Sequence, residues 1–212
     1  MLDESALAGR ERSAHGWTVM RSIGVFCGAN PGKGEHYLAS ACEVGRRLAE
    51  EDIRLVYGGG SVGLMGAVAD ACLAAGGEVI GVITRKLLEL EVGHRGCQEL
   101  IVVDTMLERK TKMAELSDAF ISLPGGIGTL DEMLEMLTWS QLDIHQKASG
   151  LLNVDGYYDG MLAFFDKVKS EGFVRPEHLE MLVACEDLDE LLQRLRAYEP
   201  VEVAKWNNQA GG

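Results

Sequence analysis

Leu123-Pro124-Gly125-Gly126-Ile127-Gly128-Thr129-Leu130-Asp131-Glu132 follows a short apolar run, Ala119-Phe120-Ile121-Ser122, and leads into Leu130, Leu134, Leu137 and Ile144 at helical spacing. The order is strand, glycine turn, helix. Such a junction gathers unpaired backbone N–H groups and the positive end of a helix dipole at one point, where an anion is favoured. Glycine at 125, 126 and 128 lets an anion approach the backbone closely. Thr129 adds a hydroxyl, and Glu132 sits one turn into the helix. A phosphate cradle with a carboxylate at its rim points to chemistry on a phosphorylated substrate.

Outward from this junction, short apolar runs alternate with helix-periodic stretches. Strands are expected at Ile23–Cys27, Arg54–Tyr57, Glu78–Ile83, Leu100–Val103, 119–123, Ala148–Leu152 and Met181–Ala184. Helices are expected at His36–Glu51, from Gly63 to about Ala75, at Thr105–Leu116, 129–145, Tyr157–Glu171 and Leu188–Ala197, with a connector near 84–99. Continuously apolar strands interleaved with helices imply an α/β fold, a doubly wound parallel sheet with helices on both faces. In such sheets ligands lie beyond the carboxyl ends of the strands, where the strand order reverses. The glycine-rich loops 28–34, 58–66 and 124–129 all follow strands and can converge there. Residues 1–20 read as a flexible lead-in, 21–198 as a single domain and 199–212 as a tail.

The composition, 47% hydrophobic and 25% charged over 212 residues, is that of a globular protein with a substantial core. A formal net charge of −13 argues against nucleic-acid or anionic-membrane partners, while leaving room for a small anion in a locally positive pocket. The five cysteines, 27, 42, 72, 97 and 185, form no CxxC pair and read as reduced thiols, most of them in buried packing roles. No apolar run approaches the roughly 20 residues of a membrane span, and the start lacks a signal-peptide core. The expected compartment is the cytoplasm. The five histidines lack metal-ligand spacing, and most of them read as surface or capping residues.

The middle loop, Gly58-Gly59-Gly60-Ser61-Val62-Gly63, matches neither a dinucleotide GxGxxG fingerprint nor a P-loop. Alone it can merely turn the chain. Paired with 124–129, it makes Gly59, Gly60 and Ser61 candidates for nucleotide contact. Arg109 shares a helical face with Met106 and Met113, unusual company for a solvated arginine. Lys110 points about 100° away from it. Asp131, Glu135 and Asp143 are as suited as Glu132 to a helix-dipole role; what singles out Glu132 is its place one turn beyond Thr129.

Pro124-Gly125-Gly126-x-Gly128-Thr129-x-x-Glu132 and Met106-x-x-Arg109-Lys110 together resemble the LOG (Lonely Guy) family, once mislabelled lysine decarboxylases. The similarity runs over roughly residues 21–185 and includes Phe26 to Gly32, Tyr57 to Gly66, Ser117 to Phe120 and Gly150 to Tyr158. It implies a Rossmann-like fold, a homodimer as the basic unit, and hydrolysis of the N-glycosidic bond of a cytokinin riboside 5′-monophosphate. The products are free base and ribose 5-phosphate. Carried over residue by residue, the family's catalytic pair falls on Arg109 and Glu132, and its nucleotide contacts fall on Glu91, Arg109, Lys110, the run Gly126, Ile127, Gly128, Thr129, Leu130, Asp131 and Glu132, and Thr138. Ile127 stands where an aromatic or glycine is common, and Asp131 where glutamate is common. Thr138, six residues past Glu132, is turned roughly 120° away on the helix.

The chemistry agrees with the residues. Breaking an N-glycosidic bond builds positive charge on the ribose, which a nearby carboxylate can offset while a phosphate grip positions the sugar. No metal or redox cofactor is required. Two alternatives stand beside it: a non-catalytic nucleotide-binding module on the same fold, and a pyridoxal-phosphate decarboxylase with Lys110 or Lys112 as Schiff-base lysine.

Overall fold

The computed structural model describes residues 19–90 and 93–201; most of the expected lead-in and tail, and Glu91, lie outside them. Seven strands, β1 (Ser22–Phe26), β2 (Arg54–Tyr57), β3 (Val79–Thr84), β4 (Glu99–Val103), β5 (Ala119–Ser122), β6 (Ala148–Leu152) and β7 (Leu182–Cys185), form one sheet. Its order is β4-β3-β2-β1-β5-β6-β7, and every adjacent pair is parallel. The chain winds outward from β1 to β4, then returns to the middle and winds the other way from β5. The order therefore reverses between β1 and β5, where Phe26 lies beside Ser122. The crevice for a ligand opens beyond these two strand ends.

The described residues also form eight α-helices: α1 (Glu35–Glu50), α2 (Gly63–Ala74), α3 (Arg85–Leu90), α4 (Met106–Leu116), α5 (Ile127–Gln141), α6 (Asp159–Ser170), α7 (Pro176–Leu179) and α8 (Leu188–Ala197). Strand side chains alternate between faces. Ile23, Val25, Leu55 and Tyr57 pack with Val44 and Leu48 of α1, Val68 and Cys72 of α2, and Leu191 and Leu195 of α8. Phe26, Val56, Val82 and Phe120 face the other way, onto Met113 and Ala114 of α4 and Met136 of α5. Both faces of the central strands are thus covered, which is why their sequences read as unbroken apolar runs. Helices α1 and α2 meet backbone to side: a Cβ on Gly45 would lie 2.1 Å from the Val68 carbonyl oxygen.

Several expected boundaries shift. The connector near 84–99 contains helix α3, invisible to periodicity because it buries no side chain. Short helix α7 also falls where none was expected. Helix α5 begins at Ile127 because Gly126 is its N-cap, and stops at Gln141 because Asp143 takes a left-handed φ of 59°. Two histidines depart from the surface or capping role expected of most and are buried: His94 pairs with Asp70 at 2.9 Å, and His178 with Gln141 at 3.0 Å. Cys27, Cys72 and Cys185 are buried, whereas Cys42 is exposed. Among the described residues no helix is long and apolar enough to cross a membrane.

Candidate active site

A cavity of about 490 Å³ lies beyond the β1 and β5 ends, within the range of small-ligand sites. The loop after β1 contributes Cys27 through Gly32, the loop after β5 contributes Pro124, Gly125 and Gly126, and the first turn of α5 contributes Gly128. Thr129, Asp131 and Glu132 of α5, Arg109 and Met106 of α4, Leu64 and Met65 of α2, Leu87 of α3, Tyr37 and Tyr157 complete the wall. The loops are tied together: Gly28 N–H donates to the Pro124 carbonyl at 3.1 Å, and Leu64 N–H to the Gly28 carbonyl at 2.9 Å. Gly63 makes the second tie possible, with φ of 61° and no room for a Cβ beside the Ala29 carbonyl.

Helix α5 presents its start to this cavity without a side-chain cap. Its first intrahelical bond runs from Leu130 N–H to the Gly126 carbonyl, so the amides of Ile127, Gly128 and Thr129 precede the ladder and remain free for an anion. A Cβ added to Gly126 or Gly128 would meet nothing within 4 Å; both front open space. At Gly125 a Cβ would instead lie 2.1 Å from the Thr129 hydroxyl oxygen. Glycine there makes room for the buried threonine.

Glu132 and Arg109 are both buried, 8% and 6% exposed. Arg109 Nη1 donates to Glu132 Oε1 at 3.0 Å, Nε to the Val82 carbonyl at 2.9 Å, and Nη2 to the Gly58 carbonyl at 3.3 Å. The guanidinium thereby joins β3, the loop after β2 and α5, and holds the carboxylate in one orientation. Gly58 is the counterpart of this placement, since a Cβ there would lie 2.1 Å from Arg109 Nη2. Burial pushes the Glu132 carboxyl above its ordinary value; the Arg109 charge opposes this, and the Asp131 and Glu135 carboxylates reinforce it. Cys27, on the cavity floor, is also pushed up, first by burial and then by the Glu132 charge, so its thiol stays protonated.

The remaining candidates occupy other places. Lys110 lies outside the cavity wall, paired with Asp131 at 3.1 Å and Glu135 at 2.9 Å. Burial would lower its pKa, but these two carboxylates outweigh that and raise it. Ile127 is 87% exposed, and Leu130 packs toward Met133, Leu151 and Tyr158. Thr138 donates its hydroxyl back to the Leu134 carbonyl at 2.7 Å. The triplet Gly59, Gly60 and Ser61 also stands off the wall: Gly59 packs under Ile83 and Leu100, Gly60 bridges to Gly93, and the Ser61 carbonyl lies against Gly66. The middle loop reaches the site instead through the Gly58 carbonyl, which accepts from Arg109, and the start of α2 through Leu64 and Met65. Tyr37 and Tyr157 were not among the sequence candidates; the one available signal was an aromatic pair following Asp155-Gly156, a turn-forming dipeptide.

The family model described as "Possible lysine decarboxylase" matches residues 65–195, more than half of the chain. A cytokinin riboside 5′-monophosphate phosphoribohydrolase of Arabidopsis thaliana is 48% identical over 181 residues, covering 85% of this chain and 79% of its own. A second from the same plant is 48% identical over 180 residues, covering 85% and 84%. Among solved structures, the molybdenum cofactor carrier protein of Chlamydomonas reinhardtii superposes with a TM-score of 0.64 at 21% identity, over 85% of this chain and 100% of its own; that likeness concerns the Rossmann-like fold alone. By the matched model and by near-half identity along most of its length, the chain belongs to the LOG family.

Proposed function

We propose that this protein hydrolyses the N-glycosidic bond of nucleoside 5′-monophosphates, N6-prenylated AMP and AMP among them, releasing free base and ribose 5-phosphate. The observation that carries this reading is Glu132, a buried carboxylate on the cavity wall, one turn from an uncapped helix start and fixed by Arg109. The relatives named as phosphoribohydrolases support the same reaction.

The amides of Ile127, Gly128 and Thr129 and the Thr129 hydroxyl hold the phosphate. That grip places the anomeric carbon near Glu132, and the apolar wall of Leu64, Met65, Leu87 and Met106 offers the base a surface. Water adds to the anomeric carbon as its bond to the base breaks. The bonding electrons leave on the base nitrogen, which takes up a proton, and the sugar gains a hydroxyl. Glu132 offsets the positive charge developing on the ribose. Arg109, with three donors committed to protein acceptors, acts by orienting that carboxylate. Lys110 acts at one remove, neutralising Asp131 and Glu135 beside the site.

The resemblance and the exposed apolar side chains Leu107, Ile127 and Leu134 on α4 and α5 support a homodimer. Free cysteines and the lack of CxxC pairing support a cytoplasmic compartment.

Chromatographic analysis of AMP and isopentenyl-AMP incubated with the purified protein tests the reading. Free base and ribose 5-phosphate are expected in equal amounts, and Glu132→Gln is expected to slow their release by about 10²-fold or more. Turnover unchanged in that variant would remove Glu132 from the chemistry.

A further inference from the structure

Each of the three carbonyls that lead into the α5 start is held by a donor. Tyr158 Oη donates to the Leu123 carbonyl at 2.6 Å, Gly28 N–H to the Pro124 carbonyl at 3.1 Å, and Tyr157 Oη to the Gly125 carbonyl at 2.6 Å. In a trans peptide the C=O and the following N–H point in opposite directions. Fixing the Pro124 carbonyl therefore aims the Gly125 N–H, and fixing the Gly125 carbonyl aims the Gly126 N–H. A Gly-Gly sequence has little steric preference of its own for either orientation. The Tyr157 hydroxyl supplies the restraint that the local sequence lacks.

The tyrosines are themselves held. Asp155 and Gly156 reverse the chain with φ of 52° and 68°, delivering Tyr157 and Tyr158 toward the loop. Buried Asn153 locks that reversal: its Oδ1 accepts from Tyr158 N–H, its Nδ2 donates to Asp159, and its N–H donates to the Cys185 carbonyl. Tyr37, at the start of α1, packs its ring edge-on against Tyr157, with centroids 5.7 Å apart. Tyr158 is buried and ties the turn to the core, whereas Tyr157 is half-exposed on the cavity wall and commits its hydroxyl to the backbone.

We propose that Tyr157 is a positioning residue for phosphate: its hydroxyl, bonded to the Gly125 carbonyl, keeps the Gly125–Gly126 peptide turned so that its N–H serves the phosphate with the α5 amides. This rests on the hydrolase reading above. The test compares wild type with Tyr157→Phe in steady-state hydrolysis of AMP and in calorimetry with ribose 5-phosphate and with adenosine. In the variant, KM for AMP and Kd for ribose 5-phosphate should rise together by about tenfold, the effect of losing roughly one hydrogen bond. Adenosine, which has no phosphoryl group, should bind both proteins alike, and kcat should change by less than about threefold because the lost contact acts on substrate and transition state equally. Tyr37→Leu, which removes the supporting ring but leaves the hydroxyl, should shift the same two constants in the same direction by less.

An unchanged Kd for ribose 5-phosphate in Tyr157→Phe overturns the proposal, as does equal weakening of adenosine, which would mark a general structural role. Wild-type protein that binds ribose 5-phosphate but releases no base would instead overturn the hydrolase reading and leave the binding comparison to judge Tyr157.

Discussion

Glu132 is held in two opposing demands. Burial raises its pKa, so the folded state holds its proton more tightly than the unfolded chain does. Such a group contributes stability that is fully present below its ordinary value of 4.5 and is lost as pH rises through the raised folded value. The role proposed for Glu132 needs the ionised form, so on that reading activity should move the other way across the same window. The expectation is a kcat/KM profile whose acid limb lies above 4.5, and a thermal stability of wild type that declines relative to Glu132→Gln over that interval. An acid limb at or below 4.5 would contradict the burial argument. Arg109 is as exposed to substitution as its partner: Arg109→Ala removes three hydrogen bonds and strands the Glu132 charge, at a cost of about 3–5 kcal/mol by urea unfolding. A milder probe is Gly58→Ala, whose new methyl would displace the guanidinium and should lower kcat more than it lowers Tm. At this scale the sequence singled out Arg109 and Glu132, which the fold brings together on the cavity wall, but not the partners that hold them. Arg109 finds Val82, Gly58 and Glu132 at separations of 27, 51 and 23 positions, and Tyr157 reaches back 32 to Gly125. No local pattern encodes partners so distant.

At the scale of elements, the apolar runs were legible because the central strands are covered on both faces, and Arg54–Tyr57 and Ala148–Leu152 fall where periodicity put them. Helix α3 escaped detection for the converse reason: without a buried face there is no period to read. The end of α5 depended on the backbone conformation of Asp143, which spacing does not reveal. Contacts between elements were equally silent in sequence, and α1 against α2 gives the sharpest case. Gly45→Ala would drive a methyl into the Val68 carbonyl, and the obstacle is backbone, which cannot rotate aside. The expected loss is about 1–3 kcal/mol in urea denaturation, read as a lower midpoint with an unchanged slope.

For the whole molecule, the winding of the sheet decides where chemistry can happen. Reversal of strand order between β1 and β5 leaves their loops without a covering crossover, and the cavity occupies that gap. The chain carries a net charge of −13, so the phosphate grip proposed for the α5 amides would act locally, against the overall field. The same surface exposes Leu107 at 63% and Ile127 at 87% on helices joined by Lys110 and Asp131. If a second copy covers them, Leu107→Asp combined with Ile127→Asp should sediment at half the wild-type mass. Undiminished mass would place the contact elsewhere.

The protonated thiol of Cys27 gives the cavity a built-in gauge of its own occupancy. Among the described cysteines it alone is part of that wall, and a sulfhydryl kept in its neutral form reacts sluggishly until solvent reaches it. With the exposed Cys42 replaced by serine, the rate at which a maleimide modifies position 27 would track how often the floor is uncovered. A seated nucleotide should slow that labelling in proportion to saturation, turning a buried thiol into a readout of binding.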